Sequence, residues 1–375
     1  MFDIVIVRYG EIFLKSEFIR RKFEKELVRN IGFRLKRLGF RYKLIRKRHR
    51  IYIKSENAEE IANSLKTVFG ITSLSPAVQT DAEIDSIAVI AVRLAKKIMN
   101  KGDKFAVVTS RSGRHEFSSQ DVSIEVGRRI LGSIDDVFVN LDNPDKTILI
   151  EIKDDLAFVF DRKIDAVGGL PYRTQGKVIS LLSGGIDSAV SSWMMGKRGC
   201  EIIAVNFGSR KDIENIIEIL ERYTEDKIKT FIVPYENILD KISKIAEKYT
   251  CVICKRTMYR IAGRIAEIED AKGIVTGDNL GQVASQTLDN LKVLSSVYNP
   301  IYRPLIGMDK EEIIKIAREI GTYEFPKGGE KCRFVPRKPA TRSRLDRIEQ
   351  IEERIGIHEL IEEAVKNARP INTLL

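Results

Sequence analysis

The run LLSGGIDSAVSSWMM, residues 181–195, decides how this 375-residue chain is read. It completes the apolar stretch VISLL (178–182), turns through Ser183-Gly184-Gly185, and enters a helical pattern with Asp187 and Ser188 at its start. Glycines let a backbone approach an anion closely, and a helix N-terminus adds unpaired N–H donors and a positive dipole end. The run therefore predicts a phosphate-holding loop. It has neither the G-x-x-x-x-G-K-[ST] spacing of a Walker A loop nor the dinucleotide fingerprint G-x-G-x-x-G. Apolar runs recur at EIIAVNF (201–207), KTFIVPY (229–235) and GIVTGDN (273–279), with helical patterns over 187–197, 211–223, 237–248 and 255–269. Strand runs alternating with helices predict a doubly wound parallel sheet over 177–375. A charged amphipathic helix is expected over 343–367.

On the N-terminal side of this domain, the Gly- and turn-rich residues 166–176 read as a linker. A strand at 2–8, a helix at 16–38 with Ser16 as N-cap, strands within 41–54 and a helix at 58–69 ended by Gly70 give a β-α-β-β-α order. That is the order of a small ferredoxin-like α+β unit, whose boundary is placed at 1–57. Residues 58–165 read as a second α/β domain. Its strands are expected near 73–79, 104–110, 137–140, 147–152 and 156–161, and its helices at 84–100 and 118–132.

Charge separates the two ends of the chain. Residues 1–57 hold 17 Lys+Arg against 6 Asp+Glu, an excess equal to the net charge of +11 of the whole protein. A basic block followed by a neutral remainder predicts a polyanion-binding module joined to something else. Arg46, Lys47 and Arg48 lie in its densest part, and RSGRHEF (111–117) adds Arg111 and Arg114 in a polar loop. Both are expected to hold RNA phosphates. No run approaches the ~18 apolar residues of a membrane span. Four cysteines in 375 residues exclude a disulfide scaffold and suit a reducing cytoplasm.

SGGIDS resembles the phosphate loop of the PP-loop ATP pyrophosphatases. Three further segments, VRYGEIFLKSEFIRRKFEKELVRNI (7–31), TGDNLGQVASQTLDNL (276–291) and YRPLIGMDKEEII (302–314), resemble the tRNA 4-thiouridine synthetases, also called tRNA sulfurtransferases. The resemblance runs along essentially the whole chain. It implies a ferredoxin-like domain, a THUMP RNA-binding domain and a PP-loop domain, in the form without a C-terminal rhodanese domain. The implied reaction adenylates the C4 oxygen of uridine 8 in tRNA with ATP and replaces it with sulfur, giving 4-thiouridine. Neighbouring possibilities are a PP-loop thiolase acting elsewhere on tRNA and a non-catalytic tRNA-binding THUMP protein.

Carried over by position, ATP contacts fall on Leu181, Leu182, Ser183, Gly184, Gly185, Asp187, Ser188, Asn206, Phe207, Lys255, Gly277 and Gln286. Asn206 departs from the family's usual His. Asp187 would stand beside pyrophosphate and Mg²⁺, and Lys310 would assist adenylation. Expected partners are the tRNA acceptor end, a sulfide or persulfide sulfur donor, and a second copy of the chain in a homodimer.

The cysteines leave several readings open. Cys200, entering an apolar strand, reads as a buried core residue. Cys251 and Cys254 form C-V-I-C, and Cys332 follows in a Gly- and Pro-flanked loop. Together they could hold an iron–sulfur cluster (3Fe-4S or 4Fe-4S) through three ligands. Alternatively, Cys332 is a catalytic thiol with the C-x-x-C as redox partner, or the C-x-x-C is structural. A closed zinc site would want four N/S ligands. The segment 331–347 also carries seven Lys+Arg, suited to tRNA phosphates near the reactive cysteine.

Overall fold

The computed structural model describes residues 1–375 except 48–49, 210, 212, 299, 325–331 and 372–375. The chain divides into two compact units, Met1–Gly169 and Leu170–Leu375.

In the first unit the elements run β1 (Ile4–Tyr9), α1 (Glu17–Arg37), β2 (Lys43–Lys47), β3 (Arg50–Lys54), α2 (Ala58–Ser64), β4 (Ile71–Asp81), α3 (Ile84–Ile98), β5 (Lys104–Ser112), α4 (Ser119–Leu131), β6 (Phe138–Val139), β7 (Lys146–Lys153), β8 (Leu156–Phe160) and β9 (Ile164–Asp165). Helix α1 buries Phe23, Leu27, Ile31 and Leu35, one apolar residue per turn. Ser16 holds the N-cap position without a side-chain hydrogen bond, whereas Ser118 and Asp121 close a full capping box on α4. The strands lie in the order β2-β3-β1-β4-β8-β7-β5-β6, with β9 also on β4. Strand β4 unites the sheet. Its first part pairs with β1 (Leu74 opposite Val7) and its last with β8 (Val78 opposite Val159). Tyr52 stacks on Phe158 with ring centroids 4.7 Å apart, tying β3 to β8.

The second unit contains β10 (Lys177–Leu181), α5 (Ile186–Lys197), β11 (Glu201–Asn206), α6 (Glu214–Leu220), β12 (Thr230–Ile232), α7 (Glu236–Ala246), α8 (Thr250–Ile268), β13 (Ile274–Val275), α9 (Leu288–Leu294), β14 (Ile301–Tyr302), α10 (Lys310–Ile320), α11 (Leu345–Ile355), α12 (Ile357–Asn367) and β15 (Arg369–Ile371). The sheet order is β14-β13-β10-β11-β12-β15. Its first five strands are parallel, and β15 is antiparallel to β12. The doubly wound expectation holds, with an antiparallel edge strand added. Chain order reverses between β10 and β13, so a crevice opens at their carboxyl ends.

Three expected helices are shorter or broken. The 211–223 helix spans Glu214–Leu220. The 58–69 helix stops at Ser64, and Gly70, at φ +99°, closes the turns that follow. The 343–367 helix is two helices, because Gly356 takes φ +70° and ends α11. The C-V-I-C segment lies within the first turn of α8 rather than ahead of a helix.

Candidate active site

Strand β10 delivers the chain into the crevice at Leu181 and buried Leu182. Ser183-Gly184-Gly185 then turns into α5. The Ser183 N–H donates to Ser188 Oγ at 3.0 Å, and the Ser188 hydroxyl bonds back to the Ser183 and Gly185 carbonyls at 3.0 Å each. The loop is thus closed on the first turn of α5 before any ligand arrives. Gly277, just past β13, packs against it. A Cβ there would lie 2.9 Å from the Asp187 carbonyl carbon and from Ser188 N, so only glycine fits. Asn206 is buried at the end of β11, and its amide donates to the Leu182 carbonyl at 2.8 Å. The side chain that stands in for the family's His therefore ties the second strand to the loop.

Lys310 opens α10, whose N-cap Asp309 forms a capping box with Glu312. Its ammonium donates to Asp187 Oδ1 at 2.6 Å. Two residues 123 positions apart, each expected to serve catalysis, are brought into direct contact.

A second polar cluster surrounds Asp278, which the sequence did not single out. Lys255 Nζ donates to its Oδ1 at 2.7 Å and Gln286 Nε2 at 3.4 Å, while Tyr259 Oη and Thr276 Oγ1 donate to Oδ2. Arg303 Nε stands 3.5 Å from the same oxygen. Burial pushes the Asp278 carboxyl up, but Lys255, Tyr259 and Arg303 outweigh it and hold the group at about 2. Asp278 fixes Lys255, and its neighbour Gly277 touches the loop. Lys255, Gly277 and Gln286, expected separately, are therefore one cluster. Asp278 and Arg303 lay inside TGDNLGQ and YRPLIG, quoted for their resemblance. Their place at the ends of β13 and β14 was the signal available.

The cysteines lie on the other side of the loop. Phe207, Tyr235, Cys332, Arg333 and Phe334 line part of a cavity of 690 Å³ beyond the ends of β11 and β12. Tyr235 packs edge-on against Phe207, centroids 5.1 Å apart, and donates its hydroxyl to the Cys254 carbonyl at 2.9 Å. Cys332 is exposed, Cys251 and Cys254 are half-buried, and Cys200 is buried. Burial, then the neighbouring Cys332, raises the Cys251 thiol. Burial also lifts Cys254 to about 12, partly offset by Tyr235. Cys251 and Cys254 lie one turn apart on α8.

As a metal set they depart from expectation. Among the described residues no group of three or more His, Cys, Asp or Glu side chains is arranged to hold a metal ion. Cys332 stands exposed on its own segment, while Cys254 is held under Tyr235 within the helix. That segment is pinned further on, where Asn290 donates to the Ala340 carbonyl and Thr287 to the Thr341 carbonyl.

In the first unit, the basic block is partly spent on structure. Arg8 and Arg50 both donate to Glu151, at 2.9 and 3.0 Å, and Arg34 is buried against the Ser64 carbonyl and Thr67. Arg46 and Lys47 are exposed on edge strand β2, and Arg48 falls outside the described residues. Lys47 lines a small pocket with Lys153 and Asp154. His115 bonds the Asp154 carbonyl at 2.7 Å and Arg111 at 3.1 Å, with Arg114 exposed alongside. Lys47 thus lies toward the Arg111 loop, while Arg46 lies with Lys47 beside Glu17 and Arg20 of α1. Among the described residues no helix is long and apolar enough to cross a membrane.

Comparison with known proteins agrees with this division. Residues 173–357 match the family described as thiamine biosynthesis protein (ThiI), residues 4–75 its ferredoxin-like domain, and residues 81–161 the THUMP domain. A probable tRNA sulfurtransferase of Thermococcus kodakarensis is 42% identical, covering 94% of this chain and 96% of its own. One from Methanocaldococcus jannaschii is 40% identical, covering 94% and 97%. Among solved structures, a 4-thiouridine synthetase in complex with RNA and bound ATP superimposes with a TM-score of 0.89 at 33% identity, covering 99% of both chains.

Proposed function

Because the chain belongs to the ThiI family of tRNA sulfurtransferases, we propose that it converts uridine 8 of tRNA to 4-thiouridine at the expense of ATP. The observation that carries this reading is the Asp187–Lys310 pair at the mouth of a closed phosphate loop. The loop amides and Ser183, Gly184, Gly185 and Ser188 bind the pyrophosphate end of ATP, with Leu181, Leu182, Asn206 and Phe207 flanking the nucleotide. Asp187 would hold a Mg²⁺ ion, which would supply charge neutralisation for the leaving pyrophosphate. Lys310 and Lys255 are fixed cations facing the same charge, worth most in a crevice that excludes water.

The uridine enters the 690 Å³ cavity beside Cys332, a volume within the range of small-molecule sites. Its C4 oxygen attacks the α-phosphorus, pyrophosphate leaves, and the adenylate makes C4 electrophilic. The terminal sulfur of a persulfide on Cys332 then attacks C4 and AMP leaves. A thiol of Cys251 or Cys254 attacks the Cys332 sulfur, releasing 4-thiouridine and leaving a disulfide that an external dithiol reduces. The exposure of Cys332 on the cavity wall, with Cys251 and Cys254 one turn apart on α8, supports this route. Three thiolates are also chemically suited to an iron–sulfur cluster, but among the described residues they are not gathered as a ligand set, and no step is routed through iron.

Arg46, Lys47, Arg48, Arg111 and Arg114 hold the tRNA acceptor end through its phosphates. Separate units for RNA and ATP are the reason for keeping a homodimer in this reading. The test is tRNA-dependent ATP–pyrophosphate exchange. Asp187→Ala abolishes exchange and leaves tRNA affinity intact; unchanged exchange would remove the loop from the chemistry.

A further inference from the structure

Arg303 is the least satisfied cation in the crevice. It follows β14 at the carboxyl end of the sheet, and only 14% of its side chain is exposed. Its Nε and Nη2 are buried and have no hydrogen-bond partner. The nearest acceptor, Asp278, already takes bonds from Lys255, Tyr259, Thr276 and Gln286, and lies 3.5 Å from Arg303 Nε. Leaving buried guanidinium donors unmade is costly, and a planar fork of this kind matches phosphate oxygens. Gln286 Oε1, on the same cluster, is also buried and unpartnered. Gly277, next to Asp278, touches the phosphate loop at Asp187 and Ser188. The unmet donors thus sit beside the place where an anion is to be held.

We infer that Arg303 is a further substrate-binding residue, whose guanidinium closes on the phosphate oxygens of ATP, and that Asp278 is the positioning residue that keeps it and Lys255 in place. This inference rests on the reading of the crevice as an ATP site. It makes Arg303 a group held ready in the free protein and satisfied only when the polyphosphate arrives. Asp278 carries one negative charge against two neighbouring cations, so the cluster keeps a net positive charge for the incoming anion.

The experiment uses the full chain and its melting temperature with Mg-ATP, inorganic pyrophosphate or adenosine. Arg303→Gln leaves the apo melting temperature unchanged or higher, because an unsatisfied buried cation is removed. It weakens ATP and pyrophosphate about ten- to hundredfold, the size of a lost charge-assisted hydrogen bond, and leaves adenosine unaffected. Arg303→Lys keeps the charge without the fork and falls between. A lower apo melting temperature with the ATP-induced rise fully retained would overturn the inference and make Arg303 a structural partner of Asp278. If Arg303→Gln fails to fold, that too assigns it a structural role, unless Arg303→Lys folds and shows the selective loss of ATP and pyrophosphate. Failure of the unsubstituted chain to respond to ATP falls on the reading of the loop, whereas a response kept in full by both variants falls on Arg303 alone.

Discussion

Among single residues, the cysteines separate most sharply by environment. Cys332 is exposed on the cavity wall, Cys254 is pushed to about 12 by burial, and Cys251 and Cys200 are raised by the same cause. Thiolate is the reacting form, so access and ionisation together set the order of modification. Iodoacetamide at neutral pH, followed by peptide mass spectrometry, should label Cys332 first, Cys251 later, and Cys254 and Cys200 last. Labelling of Cys254 ahead of Cys332 would contradict the assignment of the reactive thiol. Much of this was legible in the sequence, because Cys200 entered an apolar run and Cys332 lay between glycines and prolines. The ring of donors around Asp278 was not legible. Lys255 and Tyr259, Gln286 and Arg303 come from three separate segments, and only the folded sheet brings them to one carboxylate.

At the scale of elements, α8 is the member on which the site depends, since it carries Cys251, Cys254, Lys255 and Tyr259. Its position is set by a buried charge cluster. Glu352 of α11 accepts from Arg256 at 2.7 and 3.0 Å and from Arg260 at 2.8 and 2.9 Å, while Arg256 also reaches Ser296 Oγ at 2.7 Å. Arg256 is 1% exposed, so losing its partner strands a charge in the core. Glu352→Ala should cost about 3–5 kcal/mol, read from urea unfolding by the fluorescence of Trp193, the single tryptophan, in α5. A loss under 1 kcal/mol would show the cluster to be incidental. Burial raises the Glu352 carboxyl, but bonds from Arg260 and Arg256 outweigh it and hold it below its ordinary value. Its contribution is therefore complete above the unfolded carboxylate range and is lost as pH falls through the depressed value. The long apolar strands and the loop between them were readable from periodicity. Strand Ile274–Val275 lay in the apolar run 273–279, whereas the two-residue Ile301–Tyr302 is too short to show a period, and the break at Gly356 interrupts a pattern that is amphipathic on both sides.

For the whole molecule, charge and chemistry are divided between two units of one chain. The first exposes Arg46, Lys47, Arg111 and Arg114, after Arg8, Arg34 and Arg50 are consumed by internal bonds. The second holds the phosphate loop, the Asp187–Lys310 pair and, beyond β11 and β12, a cavity lined in part by Cys332. Net charge alone announced the first role and the loop sequence the second. The most direct measurement is nucleoside mass spectrometry of unmodified tRNA after incubation with the protein, Mg-ATP, a persulfide donor and a dithiol. The account predicts 4-thiouridine at position 8, dependent on ATP and lost in Cys332→Ala. Thiolation at another position, product formed without ATP, or full activity in Cys332→Ala would contradict it.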